Sequence, residues 1–411
     1  MKRILIIGGG AAGLMAASAA SEKYGKSAEV AVIEKNRRPA RKLMITGKGR
    51  CNVTNNCSLD ELISNTPVNA RFLYSAFSSF LPDNTMSFFE KRGVPLKTER
   101  GKRVFPVSDK AVDIVDALVN SVKKAGVQII NASAAGIQSS DGSVSGVCLS
   151  DGRFLTADSV VIATGGLSYP VTGSTGDGFR FAENLGHTVT ELRPSLVPIE
   201  CHEGFCSRLS GLSLKNVRLS VYEEGRKKPV YSDMGEMLFT HFGISGPLVL
   251  TASAYIKSMG KKKYNALVDL KPALTYEELD NRILRDFSEF KNKDFINSLD
   301  KLLPKSIIPV AVTLCGIDPH TKVNSVDRES RRKLCTVIKN LPLTLTRFRP
   351  VEEAIITRGG VSVKEINPST MESKIIKGLF FAGEVIDADG LTGGFNLQIA
   401  FSTGYAAGRN A

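Results

Sequence analysis

The first 34 residues constrain the fold more than any other part of the chain. Ile4-Leu5-Ile6-Ile7 is an apolar, largely β-branched run with no polar break, and predicts a buried parallel strand. It runs directly into Gly8-Gly9-Gly10-Ala11-Ala12-Gly13, which satisfies G-x-G-x-x-G. An Ala-rich segment from Ala11 to Lys23 predicts a helix, closed by Gly25. Glu29 to Ile33 predicts a second strand, ending at Glu34. A lone glycine motif is weak, whereas strand, glycines, helix, strand and terminal acid in this order specify a Rossmann-type dinucleotide site. Gly8 allows the tight turn, Gly10 lets the backbone approach a pyrophosphate, and Gly13 lets the helix pack on the strand. The helix start, with Ala11 and Ala12, offers N–H groups and the positive dipole end to that pyrophosphate. Glu34 accepts from ribose hydroxyls and disfavours a 2′-phosphate, so the expected ligand is FAD or NAD rather than NADP.

A chain of 411 residues suggests two or three domains. With 42% apolar and 23% charged residues it has the composition of an ordinary globular protein. A net charge of +13 favours anionic partners without choosing among a phosphate-bearing cofactor, an acidic substrate and nucleic acid. Seven scattered cysteines point to reduced thiols and a cytoplasmic setting. Cys201, His202 and Cys206 form the nearest thing to a metal cluster but lack finger spacing, so no metal is expected. The opening MKRILIIGGGAAGLMAASAA has the composition of a signal peptide, but three consecutive glycines in its apolar core argue against one. No apolar run reaches the roughly 18 residues of a membrane span.

The far end of the chain selects the dinucleotide. Lys377 to Glu384 reads KGLFFAGE, a strand ending in Gly383 and an acid, Glu384. After it come Leu391-Thr392-Gly393-Gly394-Phe395-Asn396-Leu397-Gln398 and a small-residue helix from about Asn396 to Ala407. A two-part site suits FAD, held at its adenosine end by the first unit and at its flavin end by the second. Glu384 is placed for a ribityl hydroxyl, and the Gly394-Phe395-Asn396-Leu397 helix start for the flavin N1/C2 edge, where negative charge develops on reduction. Between these, Ala157 to Gly166 predicts a buried strand closed by Ala163-Thr164-Gly165-Gly166; it resembles the segment that, in flavoproteins of the glutathione-reductase-like class, brings the chain back beside the cofactor. Ala134 belongs to the same expected cofactor set.

These motifs, GGGAAG, RKLMITGKGRCNVTN, IATGG, FTHFGISGP and GLFFAGEVIDADGLTGGFNLQIAFSTG, span nearly the whole chain. The sequence resembles the BaiN and aminoacetone-oxidase-like FAD-dependent oxidoreductases, the HI0933-like flavoproteins. The resemblance implies an α/β fold of the glutathione-reductase-like class: a Rossmann-like FAD-binding domain from both chain ends, with inserted β-rich and small helical subdomains. It also implies two-electron flavin chemistry on small molecules. Fold and cofactor transfer at this level better than substrate does.

The middle of the chain agrees with an insertion. Expected boundaries are 1–192 and 343–411 for the FAD domain, 193–270 for the β-rich piece and 271–342 for the helical one. Lys215 to Tyr222 alternates as a strand does, while Tyr276 to Phe290 and Asp327 to Lys339 have helical periodicity. No second G-x-G-x-x-G appears, so no separate NAD domain is expected. The weak catalytic candidates are His241, within LFTHFGISGP, and Tyr169, just after the ATGG turn. Gly173 to Gly178 reads as an anion-binding start of a helix Phe179 to Leu185 or, preferred, as a Gly-rich helix entry capped by Asp177.

The loop RKLMITGKGRCNVTNNC raises a redox pair, Cys51 and Cys57, as one reading. Their C-x5-C spacing and the missing partner domain favour a cofactor loop instead. There Lys35, Arg41, Lys42 and Arg50 gather positive charge, Gly47 and Gly49 let the backbone close in, and Cys51 and Asn52 pack and bond along FAD. The expected protein is an FAD-dependent oxidoreductase of a small organic molecule, with anionic molecules among the candidates: an oxidase, a dehydrogenase, or a reductase with NAD(P)H as transient electron donor. The rival is a flavin-bearing RNA-binding or RNA-modifying protein. The charge suits it; the absence of Trp, of an aromatic platform and of an RNA-module pattern does not.

Overall fold

The computed structural model describes residues 1–257 and 259–411. The chain divides into two compact units, one made of residues 1–195 and 350–411, the other of residues 196–349.

The first unit is built on a five-stranded parallel sheet in the order Leu379–Phe381, Ser159–Ile162, Lys2–Ile7, Ala28–Glu34, Gln128–Asn131. Its three central strands are apolar runs because both faces are covered. Ile4 and Ile6 are fully buried, as are Val160 to Ile162. The predicted first helix is Ala11–Tyr24, with Gly25 as its C-cap, and the terminal helix is Phe395–Asn410, three residues longer than expected at its end.

Small residues explain how the two chain ends meet. A Cβ at Gly404 would lie 2.4 Å from the Ala12 carbonyl oxygen, and one at Gly408 would lie 2.1 Å from that of Ala16. The two helices therefore pack backbone to backbone, which only glycine permits. The Gly383 N–H donates to Thr403 Oγ1 at 2.9 Å, joining the last strand to the same helix.

The second unit is a closed six-stranded antiparallel barrel. Its order is Ile199–Cys201, Gly243–Ser245, Tyr231–Thr240, Ser213–Glu223, Tyr264–Asp269 and Leu341–Phe348, which returns to the first. Helices Tyr276–Glu289, Ile308–Cys315 and Arg328–Lys339 share one apolar core with it. The expected boundaries shift accordingly. Residues 343–349, assigned to the FAD domain, complete the barrel, because Leu341, Leu343 and Leu345 are buried in its core. Residues 193–195, assigned to the insert, pair instead with Ile356–Arg358 in the first unit. The β-rich and helical pieces are one compact unit, not two subdomains.

Candidate functional site

The glycine loop is held by steric exclusion. Gly8 has φ +103°, and a Cβ there would lie 2.5 Å from Ala163 O; a Cβ at Gly13 would lie 1.9 Å from Gly8 O. At Gly10 the situation is reversed, with no heavy atom within 4 Å of a Cβ. That open space adjoins a helix start, Ala11, that no side chain caps, the combination an anion at a helix N-terminus requires. Glu34, 7% exposed, accepts from Gly9 N at 2.8 Å through one oxygen, and from Asn36 N and Nδ2 at 2.7 and 2.8 Å through the other. The acid thus braces the glycine loop.

The other sequence-selected residues meet partners the sequence did not announce. Lys42 Nζ donates to Glu384 Oε2 at 2.8 Å and to Ser168 Oγ at 2.6 Å. Glu384 Oε1 accepts from Ser168 Oγ at 3.1 Å and from Thr357 N at 2.8 Å. Gly166 sits against this network, since its Cβ would fall 2.5 Å from Thr357 Oγ1 and 2.8 Å from Glu384 Oε1. Lys35 is ion-paired to Asp177 at 2.7 Å, and exposed Arg41 donates to Asn36 Oδ1 at 3.2 Å. Arg50 is neutralised by Glu99 and Asp109, whose hydrogen bonds hold its guanidinium above its usual range, and it lies 4.1 Å over the Phe105 ring. The expected pool of free positive charge around this loop is therefore largely spent on carboxylates from elsewhere in the chain. Asp177 does not cap its helix: the helix is Asp177–Asn184, and the cap is Gly176.

Cys51 is wholly buried with φ +59°, and burial pushes its thiol up to about 12. Cys57 is half-buried, its thiol raised to about 11 by burial and by Glu61. Both are free thiols, and at neutral pH neither is a thiolate, the species a redox pair needs. The Gly47 Cβ position lies 2.9 Å from Asn52 N, so the loop closes tightly there, while Gly49 (φ +84°) faces open space. Ala134 starts an outer strand, Ala134–Ser140, opposite Leu149. Tyr169 adopts φ +53°, with Lys42 Nζ 6.0 Å from its ring centroid. His241 is an exposed turn residue of the barrel unit, edge-on to Phe242 at 5.0 Å. Cys201 hydrogen-bonds Cys206, which holds its thiol well above the usual range. Among the described residues no group of three or more His, Cys, Asp or Glu side chains could hold a metal, and no helix is long and apolar enough to cross a membrane.

The sequence reading missed what joins the 41–57 loop to the terminal helix. Gln398, fully buried, accepts through Oε1 from Thr54 Oγ1 at 2.6 Å and Thr85 Oγ1 at 2.9 Å. Its Nε2 donates to Phe80 O at 2.8 Å and Ser402 Oγ at 3.0 Å. Asn55 Nδ2 donates to Gly393 O at 3.0 Å, and a Cβ on Gly394 would lie 2.4 Å from Thr54 O. The signal was present: Gln398, Ser402 and Thr403 lie among the apolar and small residues of a buried helix, and buried polar groups demand partners.

The residues present fit FAD. Asn52 Oδ1 and Thr164 Oγ1 are buried with no protein partner. Gly165 (φ +76°) follows Thr164 in the turn that abuts Gly8. No side chain caps the helix that Gly394 introduces with φ +102°, and Phe395, Asn396 and Leu397 form its first turn. Two uncapped helix starts, an open glycine and unpartnered buried acceptors suit a long ligand with anionic phosphates and a polar ring edge.

The comparisons agree with the geometry. Over its full length the chain is 30% identical to a 3-dehydro-bile acid delta(4,6)-reductase from Clostridium scindens, covering 99% of that protein. It is 31% identical to a ribosomal RNA dihydrouridine synthase from Haemophilus influenzae, covering 98% of this chain and 96% of that one. A protein of the same description from Escherichia coli is 29% identical over 99% of this chain and 97% of its own. A solved 3-ketosteroid delta1-dehydrogenase from Sterolibacterium denitrificans shares the fold, with a TM-score of 0.53, 15% identity and 99% coverage of both chains. Residues 2–410 match the family described as the HI0933-like protein Rossmann domain; the chain belongs to that family, and it is an FAD-binding flavin oxidoreductase.

Proposed function

We propose that the protein reduces a carbon–carbon double bond conjugated to a carbonyl, with NAD(P)H as the electron donor. One observation carries this reading. The full-length relatives are named for substrates as unlike as a bile acid and a ribosomal RNA, yet both reactions saturate a C=C in conjugation with a carbonyl. Bound FAD supplies a two-electron acceptor and hydride donor. The protein's part is to bind it through Gly8, Gly10, Gly13 and Glu34, to direct Asn52 and Thr164 at it, and to set the Gly394 helix start where charge accumulates. Tyr169 is the side chain to test as proton donor to the substrate; His241 is the weaker candidate.

The preferred substrate is a small enone. A second reading, a uracil base within RNA, is favoured by the +13 charge and by the two relatives named for ribosomal RNA. Anaerobic mixing with NADH or NADPH should bleach the flavin, and admitted oxygen should restore it slowly. Rapid reoxidation with peroxide release would overturn the reductase reading in favour of an oxidase. Turnover of a dienone panel, compared with dihydrouridine formation in ribosomal RNA transcripts, separates the substrates. RNA binding that weakens steeply with salt marks the second.

A further inference from the structure

Strand Ile356–Arg358 follows the barrel unit in sequence and pairs with Arg193–Ser195, the strand that precedes it. Nothing in its sequence resembles a cofactor motif, yet it bonds to three segments of the candidate site. Thr357 N donates to Glu384 Oε1 at 2.8 Å, and Thr357 Oγ1 accepts from Leu167 N at 2.7 Å and Ser168 N at 3.2 Å. Arg358, 5% exposed, grips Asp389, 3% exposed, with Nη2 at 2.8 Å from Oδ2 and Nε at 3.3 and 3.2 Å from the two oxygens. Ser195 Oγ donates to the same carboxylate at 3.2 Å.

Desolvation offsets most of what a buried ion pair gains, so its use is geometric rather than stabilising. Asp389 precedes Gly390, whose N–H donates to Asn396 Oδ1 at 2.8 Å and whose carbonyl accepts from Asn396 Nδ2 at 2.8 Å. Asn396 Nδ2 also donates to Leu391 O at 3.2 Å. Asn396 is the second residue of the terminal helix. A continuous chain of bonds thus runs from the guanidinium to that helix start.

We propose that Arg358 is a positioning residue for the flavin end of the site, acting through Asp389 and Asn396 to fix the first turn of the terminal helix. This rests on the reading that this helix start faces the flavin. A helix N-terminus favours negative charge, and favours it less when displaced. Loosening the chain of bonds should therefore weaken binding of reduced cofactor more than of oxidised cofactor.

The test uses the full-length protein with FAD, oxidised and dithionite-reduced, in the Arg358→Lys, Asn396→Ala and combined variants. Each single variant should lose at least tenfold more affinity for the reduced form than for the oxidised form. Tenfold corresponds to about 30 mV in a two-electron midpoint potential. The combined variant should lose no more than the larger single loss, since both act on one pathway. Equal losses for the two oxidation states, or a lowered Tm with unchanged affinities, would overturn the proposal and leave the pair a structural tie. Should Arg358→Lys fail to fold, Asn396→Ala, which retains the ion pair, decides alone. Failure of the unaltered protein to bind FAD at all would overturn the cofactor reading and this proposal with it.

Discussion

Two loops of the cofactor unit, 8–13 and 41–57, both read as cofactor-binding in the sequence, but they differ in what makes them so. In the first, two glycines are required by backbone atoms, Gly13 by Gly8 O and Gly8 by Ala163 O, while Gly10 meets no protein atom. In the second, the charged side chains depend on partners far away in the chain: Lys42 on Glu384, Arg50 on Glu99 and Asp109. Backbone sterics are local and legible, whereas the worth of a charge is set by whatever folds next to it.

The sharpest test of the contrast lies inside the first loop. Gly13→Ala places a methyl 1.9 Å from a backbone oxygen. It should cost at least about 3 kcal/mol through overpacking, far beyond the roughly 1 kcal/mol of helix propensity gained, and abolish FAD binding. Gly10→Ala meets no protein atom, so Tm should hold within about 2 °C while FAD affinity falls at least about tenfold. If both variants lose stability alike, the open space at Gly10 is not a ligand cradle.

In the second loop, Lys42→Ala should cost about 2 kcal/mol, because it strips a charged donor from the partly buried Glu384, and should weaken FAD by roughly tenfold. Arg50→Ala should change FAD affinity less than about threefold, because surface carboxylates already neutralise Arg50. A large Arg50 effect that salt erases would restore it as a phosphate ligand.

A smaller, pH-dependent effect centres on His187. It is 4% exposed, and its Nε2 lies 2.7 Å from Ser373 Oγ, which already accepts from Ile375 N and Ile376 N at 2.9 Å. The serine therefore donates, the ring is neutral, and burial holds its pKa below the usual value. The unfolded chain takes up a proton first, so stability is intact at neutral pH. It declines below about pH 6.5, by at most about 1.4 kcal/mol per pH unit, until the folded histidine also titrates. Urea midpoints between pH 7.5 and 5 should show the decline, and His187→Gln should flatten it.

The smallest expected effect is that of Cys57→Ser. It should leave FAD spectrum and turnover unchanged within about twofold, since the thiol has no part in the site; loss of turnover would revive the redox pair.

Much of the candidate site could be proposed from the sequence because its motifs are contiguous. Gly8, Gly10, Gly13, Glu34, Gly383 and Gly394 sit at strand ends and helix starts that periodicity also locates. Thr54, Gln398, Thr357 and Arg358 could not be assigned that way, since each matters through a bond to a residue remote in sequence. The same limit misplaced the domain boundary: strand Leu341–Phe348 alternates as a barrel strand does, but alternation does not say which sheet it joins.

The sequence by itself determined the dinucleotide fold, the cofactor class and the return of the chain's last segment to its first, because glycine sterics and apolar runs act over short distances. Only the tertiary structure decided which charges are spent on ion pairs, that the insert is one closed barrel with its helices, and that a three-residue strand bonds to Glu384 and Asp389. Those outcomes depend on desolvation and hydrogen-bond partners that exist only once distant segments are packed together.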